Sequence, residues 1–386
     1  MWKTIKEDWF SNIGADLLSV AVIGLVLIPE TIGFAFIAGV DPVVSFLAVL
    51  SMSVMVSIFG GRQGMISASA GSMALVLAVV VRKYGVEYIM PITVVTGIIQ
   101  IIFAFFKAGR IVKYIPDAVM HGFVNSLGIL IFIDQLHYFK GQGLVMYILV
   151  GLGLVVIYIF PRITKKVPAA IIAIVIITLV AVILKLNVYD LGDLKGIEFP
   201  MPTLHLPQIA FTGKVIGIIL MYSVSLAIVG SVESLLTAKA LDEMTGTDSN
   251  KSRECFGQGI GNIVTGFIGG MAGCALVGQS FINTKSGGRT RLSTFCVGIF
   301  LVLYVVVFSY FVKLIPIAAV VAVMIMIAET TVDWNSLKSI PKTSLLDNVV
   351  MIITVIVVLA TSNLAIGVVV GMILYYVGKH FKTKKI

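Results

Sequence analysis

The stretch "ISASAGSMALVLAVV", residues 66–80, decides how this chain folds. It opens with serine, alanine and glycine and turns apolar only over its second half. A helix needs about 20 mainly apolar residues to cross a bilayer, and this segment offers fewer. It reads as a half-helix whose N-terminus stops inside the membrane. A second stretch, "GGMAGCALVGQSFIN", residues 269–283, has the same plan. One such segment on its own favours close helix packing through small residues. Two at matching places point to a pair of half-helix N-termini converging near the membrane centre. Their free amides make an anion site from partial positive charge, without a fixed cation. The candidate contacts are Ala70, Gly71 and Ser72 on the first segment, and Val277, Gly278, Gln279 and Ser280 on the second.

The surroundings are built for lipid. Hydrophobic residues make up 59% of the 386, charged residues 12%, and the mean hydropathy is +1.07. A soluble chain carries about 25% charged residues. The class is an all-α polytopic membrane protein. Fourteen stretches read as spans: 15–38, 43–60, 67–82, 88–106, 117–136, 144–160, 167–185, 213–244, 255–270, 275–286, 292–312, 315–331, 345–361 and 363–380. The start, "MWKTIKEDWFSNIGAD", is polar and amphipathic and shows no cleavable signal. The net charge of +9 follows topology, not nucleic acid. With the N-terminus in the cytoplasm, 21 of the 28 Lys and Arg residues fall on cytoplasmic segments. Both termini are therefore expected in the cytoplasm, with the protein in the cell membrane.

Three cysteines (Cys255, Cys274, Cys296) lie scattered among apolar residues and read as small buried hydrophobes. The four histidines (His121, His137, His205, His380) share no ligand spacing. No metal, cofactor or intramembrane nucleophile–base pair is expected, and so no enzyme.

The longest polar connector, 185–214, lies near the middle of the chain. Seven spans precede it and seven follow. An odd number per half inserts the second half upside down, which is the inverted-repeat plan of secondary transporters. The halves are 1–190 and 205–386.

Each half carries a misplaced acid. Glu233 lies at mid-depth in the eighth span, where a charge costs about 2.5–3.5 kcal/mol on insertion scales. A glutamate is too short to snorkel from there. It must face protein or a wet cavity, with Thr237 one turn on and on the same face. Two readings compete: a structural hydrogen bond, or a proton or cation site beside the substrate. In the first half, Pro29 breaks the first span and frees a carbonyl. Glu30 follows directly, and Phe34 lies one turn further. Both are candidate substrate contacts, although an aromatic there is more often ordinary filling. Lys239, Asp242 and Glu243 read as a solvated helix end with local ion pairs.

Five segments carry a family likeness. They are "IPETIGFAFIAGVDP" (28–42), "YIPDAVMHGFVNSLGILI" (114–131), "VPAAIIAIVIIT" (167–178), the run 232–294 with its "CALVGQSFINTKSGGRTRLST" (274–294), and 331–372. In this order the sequence resembles the SulP anion transporters, the sulfate permease and solute carrier 26 group. The resemblance implies a 7+7 inverted repeat of the uracil-permease type. It implies a core domain (spans 1–4 and 8–11) moving against a gate domain (spans 5–7 and 12–14). It places the anion between the N-termini of the third and tenth spans, and a coupling ion at Glu233 and Thr237. The family's substrates include sulfate, bicarbonate, chloride, oxalate and dicarboxylates.

Three positions depart from the family pattern. Gln279 stands where many relatives carry arginine, Val277 where bicarbonate carriers place a sodium-site threonine, and Glu30 where glutamine is usual. The family's cytoplasmic STAS domain does not follow the last span of this sequence. The expected function is secondary active transport of a small inorganic or organic anion, coupled to protons, by an elevator or rocking motion. The alternatives are a sodium-coupled bicarbonate transporter, a passive anion channel and a nucleobase permease. Partners are the anion, a coupling proton or sodium ion and the lipid bilayer. A homodimer is a further expectation, and nucleic acid is not one.

Overall fold

The computed structural model describes residues 2–107, 114–163, 168–191, 204, 209–210, 212–361 and 363–383. The first half runs α1 (Trp2–Phe10), α2 (Ile13–Ala38), α3 (Pro42–Phe59), strand β1 (Ser67–Ser69), α4 (Gly71–Tyr84), α5 (Ile89–Phe105), α6 (Asp117–Gln135), α7 (Leu144–Ile159) and α8 (Ala169–Ile183). The second runs α9 (Gly213–Thr245), α10 (Lys251–Phe267), strand β2 (Gly273–Ala275), α11 (Val277–Lys285), α12 (Arg291–Val307), α13 (Ser309–Lys313), α14 (Ile317–Thr331), α15 (Trp334–Ser339), α16 (Leu345–Thr361) and α17 (Leu364–Thr383).

Each stretch read as a span contains a helix. By length and apolarity, eight helical segments among the described residues are able to cross a membrane, and α8, α12 and α16 are apolar but shorter. The fourteen-span count therefore does not rest on helix length alone. The broken segments α4 and α11 and the glycine-rich α10 fall outside both sets. Caps set several ends. The Asn250 side chain accepts the Arg253 amide at 3.0 Å and starts α10 four residues earlier than the apolar pattern suggests. Gly246, at φ +66°, closes α9 in the left-handed conformation. The stretch 292–312 is not one helix, because it breaks at Phe308 between α12 and α13. The connector 185–214 lies largely outside the described residues. Its start is tied to the second half, where Leu191 N donates to Ile315 O at 3.0 Å and Ile317 N to Tyr189 O at 3.0 Å.

Two groups of helices emerge, and each draws on both halves. In one, α10 lies on α3 and α5, and α12 on α2 and α3. In the other, α16 lies on α6 and α17, and α14 on α6 and α7. Inside the first group α5 and α10 touch backbone to backbone. A Cβ on Gly259 would sit 2.6 Å from the Gly97 carbonyl, so only glycine fits this crossing. The groups meet where α14 lies against α2, with the Met324 thioether filling the place a side chain on Gly33 would take.

Candidate functional site

Irregular backbone at membrane depth must find its partners inside the protein. Here the two halves satisfy each other. Strands β1 and β2 pair antiparallel, with Ser67 opposite Ala275, Ala68 opposite Cys274 and Ser69 opposite Gly273. The Leu276 amide extends the pairing to Ile66 O at 2.8 Å, and the Ile66 amide donates to Ser280 Oγ at 2.9 Å. Asn262 of α10 clamps the ribbon from the side. Its Oδ1 accepts Gly273 N at 2.8 Å, and its Nδ2 donates to Gly273 O at 3.0 Å and to Gln100 Oε1 at 2.8 Å. Because the strands are antiparallel, α4 and α11 leave opposite ends of the ribbon in opposite directions. Both N-termini therefore point back at it. The amides of 71–73 and 277–279 precede the first intrahelical bonds, Ala74 N to Ala70 O and Ser280 N to Leu276 O.

The start of α4 is sealed. Ala70, Gly71 and Ser72 are buried, and a Cβ on Gly71 would lie 3.1 Å from both Phe34 Cε1 and Ile131 Cδ1. The start of α11 is open. Val277 is 39% exposed, and nothing lies within 4 Å of a Cβ built on Gly278. Ser280 is buried, and its hydroxyl is engaged with Ile66.

The two acids bracket these starts. Glu233 Oε2 accepts from Ser72 Oγ and from Cys274 Sγ, the latter at 3.2 Å. Its neighbour Ser234 accepts the Ala275 amide at 3.1 Å, which fixes α9 against β2. Thr237 is buried, and its hydroxyl donates to Glu233 O at 2.8 Å, so it serves its own helix. Glu30 is buried and accepts from Gln279 Nε2. Among the described residues no lysine, arginine or histidine pairs with either acid. Nor does any cluster of three or more His, Cys, Asp or Glu stand where it could hold a metal.

The structure thus joins Glu30 to Gln279, Phe34 to Gly71, and Ser72 to Glu233. It also recruits residues that the sequence reading left aside: Cys274, Ser234, Asn262 and Ile131. Cys274 is not mere filling, since its thiol meets the Glu233 carboxyl. Its place three residues before Val277 was the available signal. The end of α9 differs too. Lys239 and Glu243 form the expected exposed local pair at 3.9 Å. Asp242 instead reaches Arg62 at 3.4 Å and pairs with Lys251, bonds made outside its own helix.

Comparison with known proteins fits this geometry. The sulfate permease family pattern matches residues 13–147 and 142–354. "Putative sulfate transporter YbaR" of Bacillus subtilis is 49% identical over 384 residues, covering 99% of this chain and 80% of that protein. "Bicarbonate transporter BicA" of a Picosynechococcus strain is 27% identical over 401 residues, covering 95% and 70%. Among solved structures, the transmembrane domain of a cyanobacterial BicA superposes with a TM-score of 0.82 at 24% identity, covering 95% of this chain and 98% of that one. SLC26A9 superposes with a TM-score of 0.82 at 18% identity, covering 98% and 66%. These likenesses establish the solute carrier 26 fold. A ribbon joining two half-helix starts inside a multi-pass membrane protein, matched to this pattern over most of its length, leaves one conclusion: the chain belongs to the sulfate permease family of anion transporters.

Proposed function

We propose that the protein is a secondary active carrier that takes up a small oxyanion or carboxylate together with protons. The observation that carries this reading is the meeting of Glu233 with Ser72 and Cys274, at the place where the two half-helices begin. The anion binds on the free amides at the open start of α11, with Val277, Gly278 and Gln279 around it, and Gly71 and Ser72 form the sealed side of the site. An anion entering such a site alone is costly to desolvate. A proton taken up by Glu233 offsets its charge. Glu30, Phe34, Ala70 and Ser280 shape the same region, and the Thr237 hydroxyl bonds the Glu233 backbone carbonyl.

The helix group holding the site (α2–α5 with α9–α12) moves as a core against the group of α6–α8, α14, α16 and α17. The motion is an elevator or rocking step in the cell membrane, with both termini in the cytoplasm. A dimer of two such chains is compatible with this plan. Sulfate, bicarbonate and dicarboxylates are the substrate classes proposed, by likeness to the relatives.

The test is uptake into proteoliposomes of sulfate, bicarbonate, fumarate, chloride and uracil, each under an imposed proton or sodium gradient. Accumulation of an anion under the proton gradient alone supports the reading. Accumulation under sodium alone assigns Glu233 to a sodium site, and uracil uptake makes the protein a nucleobase carrier. Flux without counterflow of labelled against unlabelled substrate makes it a channel.

A further inference from the structure

Glu30 and Glu233 occupy corresponding places in the two halves. Each lies on the long helix that opens its half, α2 or α9. Each reaches across to the first turn of the other half's half-helix: Glu233 to Ser72, the second residue of α4, and Glu30 to Gln279, the third residue of α11. The exchange is reciprocal, and it leaves both carboxyls buried among neutral donors.

Among the described residues no charged side chain pairs with Glu30. Helices α3 and α8, which contact α2, carry no titratable side chain. The titratable groups on the other helices in contact are engaged elsewhere or make no bond to it. Arg82 pairs with Asp134, Arg291 donates to Ser57 O and Gly60 O, Tyr304 donates to Ala21 O, and Glu329 accepts from Tyr158. Lys83, Tyr84, Lys285 and Cys296 form no hydrogen bond or ion pair with Glu30, and Asp16 of α2 itself binds the amides of Arg289 and Thr290.

An anion seated on the open amides of α11 meets the Glu30 carboxyl at once, since Gln279 holds that carboxyl at the same helix turn. Two negative groups in a low-dielectric site repel strongly. A proton on Glu30 removes the repulsion and turns the carboxyl into a donor towards the anion. We propose that Glu30 is a second proton-carrying group, so that the site loads two protons with each anion, one on each half. Both protons enter from the side on which the anion binds and leave with it on the other. This rests on the proton-coupled reading of Glu233 above.

The experiment measures accumulation at equilibrium in proteoliposomes with the membrane voltage clamped to zero, using labelled sulfate, bicarbonate and fumarate as probes. For a tenfold inward proton gradient, two-proton coupling gives roughly hundredfold accumulation and one-proton coupling roughly tenfold. The expected result is the first value in the wild type, the second in Glu30→Gln, and the first again in Glu30→Asp. Glutamine matches the glutamate it replaces in size, and monodisperse elution of the variant checks its fold. Tenfold accumulation in the wild type, or an unchanged hundredfold in Glu30→Gln, overturns the proposal and leaves the role of Glu233 standing. Accumulation that ignores the proton gradient overturns both. If no probe is taken up, infrared titration of the purified protein decides. Loss of one protonated-carboxyl band in Glu30→Gln and of a different one in Glu233→Gln supports the pair, and a spectrum unchanged in Glu30→Gln refutes it.

Discussion

The two half-helices begin alike in sequence and end up in opposite circumstances. Both follow a three-residue strand of small residues, and the strands pair with each other. Yet Gly71 is walled by Phe34 and Ile131, while Gly278 faces unfilled space. The repeat makes the frame symmetrical, and the side chains from outside the repeat's own half-helix make it unequal. One start is anchored and titratable through Ser72 and Glu233. The other is accessible. The proposed carrier needs both: a surface for the anion, and a fixed group that registers whether the anion is present.

The sharpest test of that division is Glu233→Gln. It mimics the protonated state and releases no proton. Anion binding should persist, while accumulation driven by a tenfold inward proton gradient should fall from roughly hundredfold to the roughly tenfold that Glu30 alone couples, as measured by tracer uptake. Undiminished accumulation would reduce Glu233 to a structural hydrogen-bonding group.

A paired substitution then separates sealed from open. Gly71→Leu overpacks the Phe34 and Ile131 contact and should destabilise the protein by about 1–3 kcal/mol, read as a lower melting temperature in detergent. Gly278→Leu should melt like the wild type and yet show no anion binding in a calorimetric titration, because it fills the open side. Equal behaviour of the two variants breaks the comparison.

Next comes the ribbon itself. Asn262→Ala leaves the Gly273 amide and carbonyl without partners. Each such buried group costs about 1–3 kcal/mol. Thermal melting should show the loss, and coupling should loosen with it, since the ribbon holds both starts in register. Thr237→Val should have the smallest effect, about 0.5–1.5 kcal/mol of stability with proton-driven uptake largely kept. Its hydroxyl reaches only its own helix, at Glu233 O.

Much of this was legible in the sequence, and the illegible part has a physical cause. Apolar runs and caps placed α2 and α9 to within about two residues, because burial in lipid leaves a strong local signal. The half-helices were legible as short segments with small-residue starts. Their pairing through β1 and β2 was not. Strands of "SAS" and "GCA" carry no alternating pattern and no β-branched residue, and their partner lies about two hundred positions away. The helix at 292–312 was drawn too long because apolarity runs straight through the break at Phe308. In the site, Glu30, Glu233 and Gln279 stood out as polar residues in an apolar setting. Cys274 and Asn262 did not, since their importance comes from which backbone and which carboxyl they meet.

The ribbon has a consequence for the direction of traffic. It binds the two half-helices by backbone hydrogen bonds that cross from one half to the other, so on the proposed mechanism the amides and both acids travel together as one rigid body. The pocket that closes round the anion on the outer face is then the pocket that opens on the inner face. Its affinity for the anion is alike on the two sides, and nothing in the binding geometry favours entry over exit. On that mechanism the protein works as a balance with equal arms: the gradients on either side decide which way it tips, and reversing them makes it export what it had gathered.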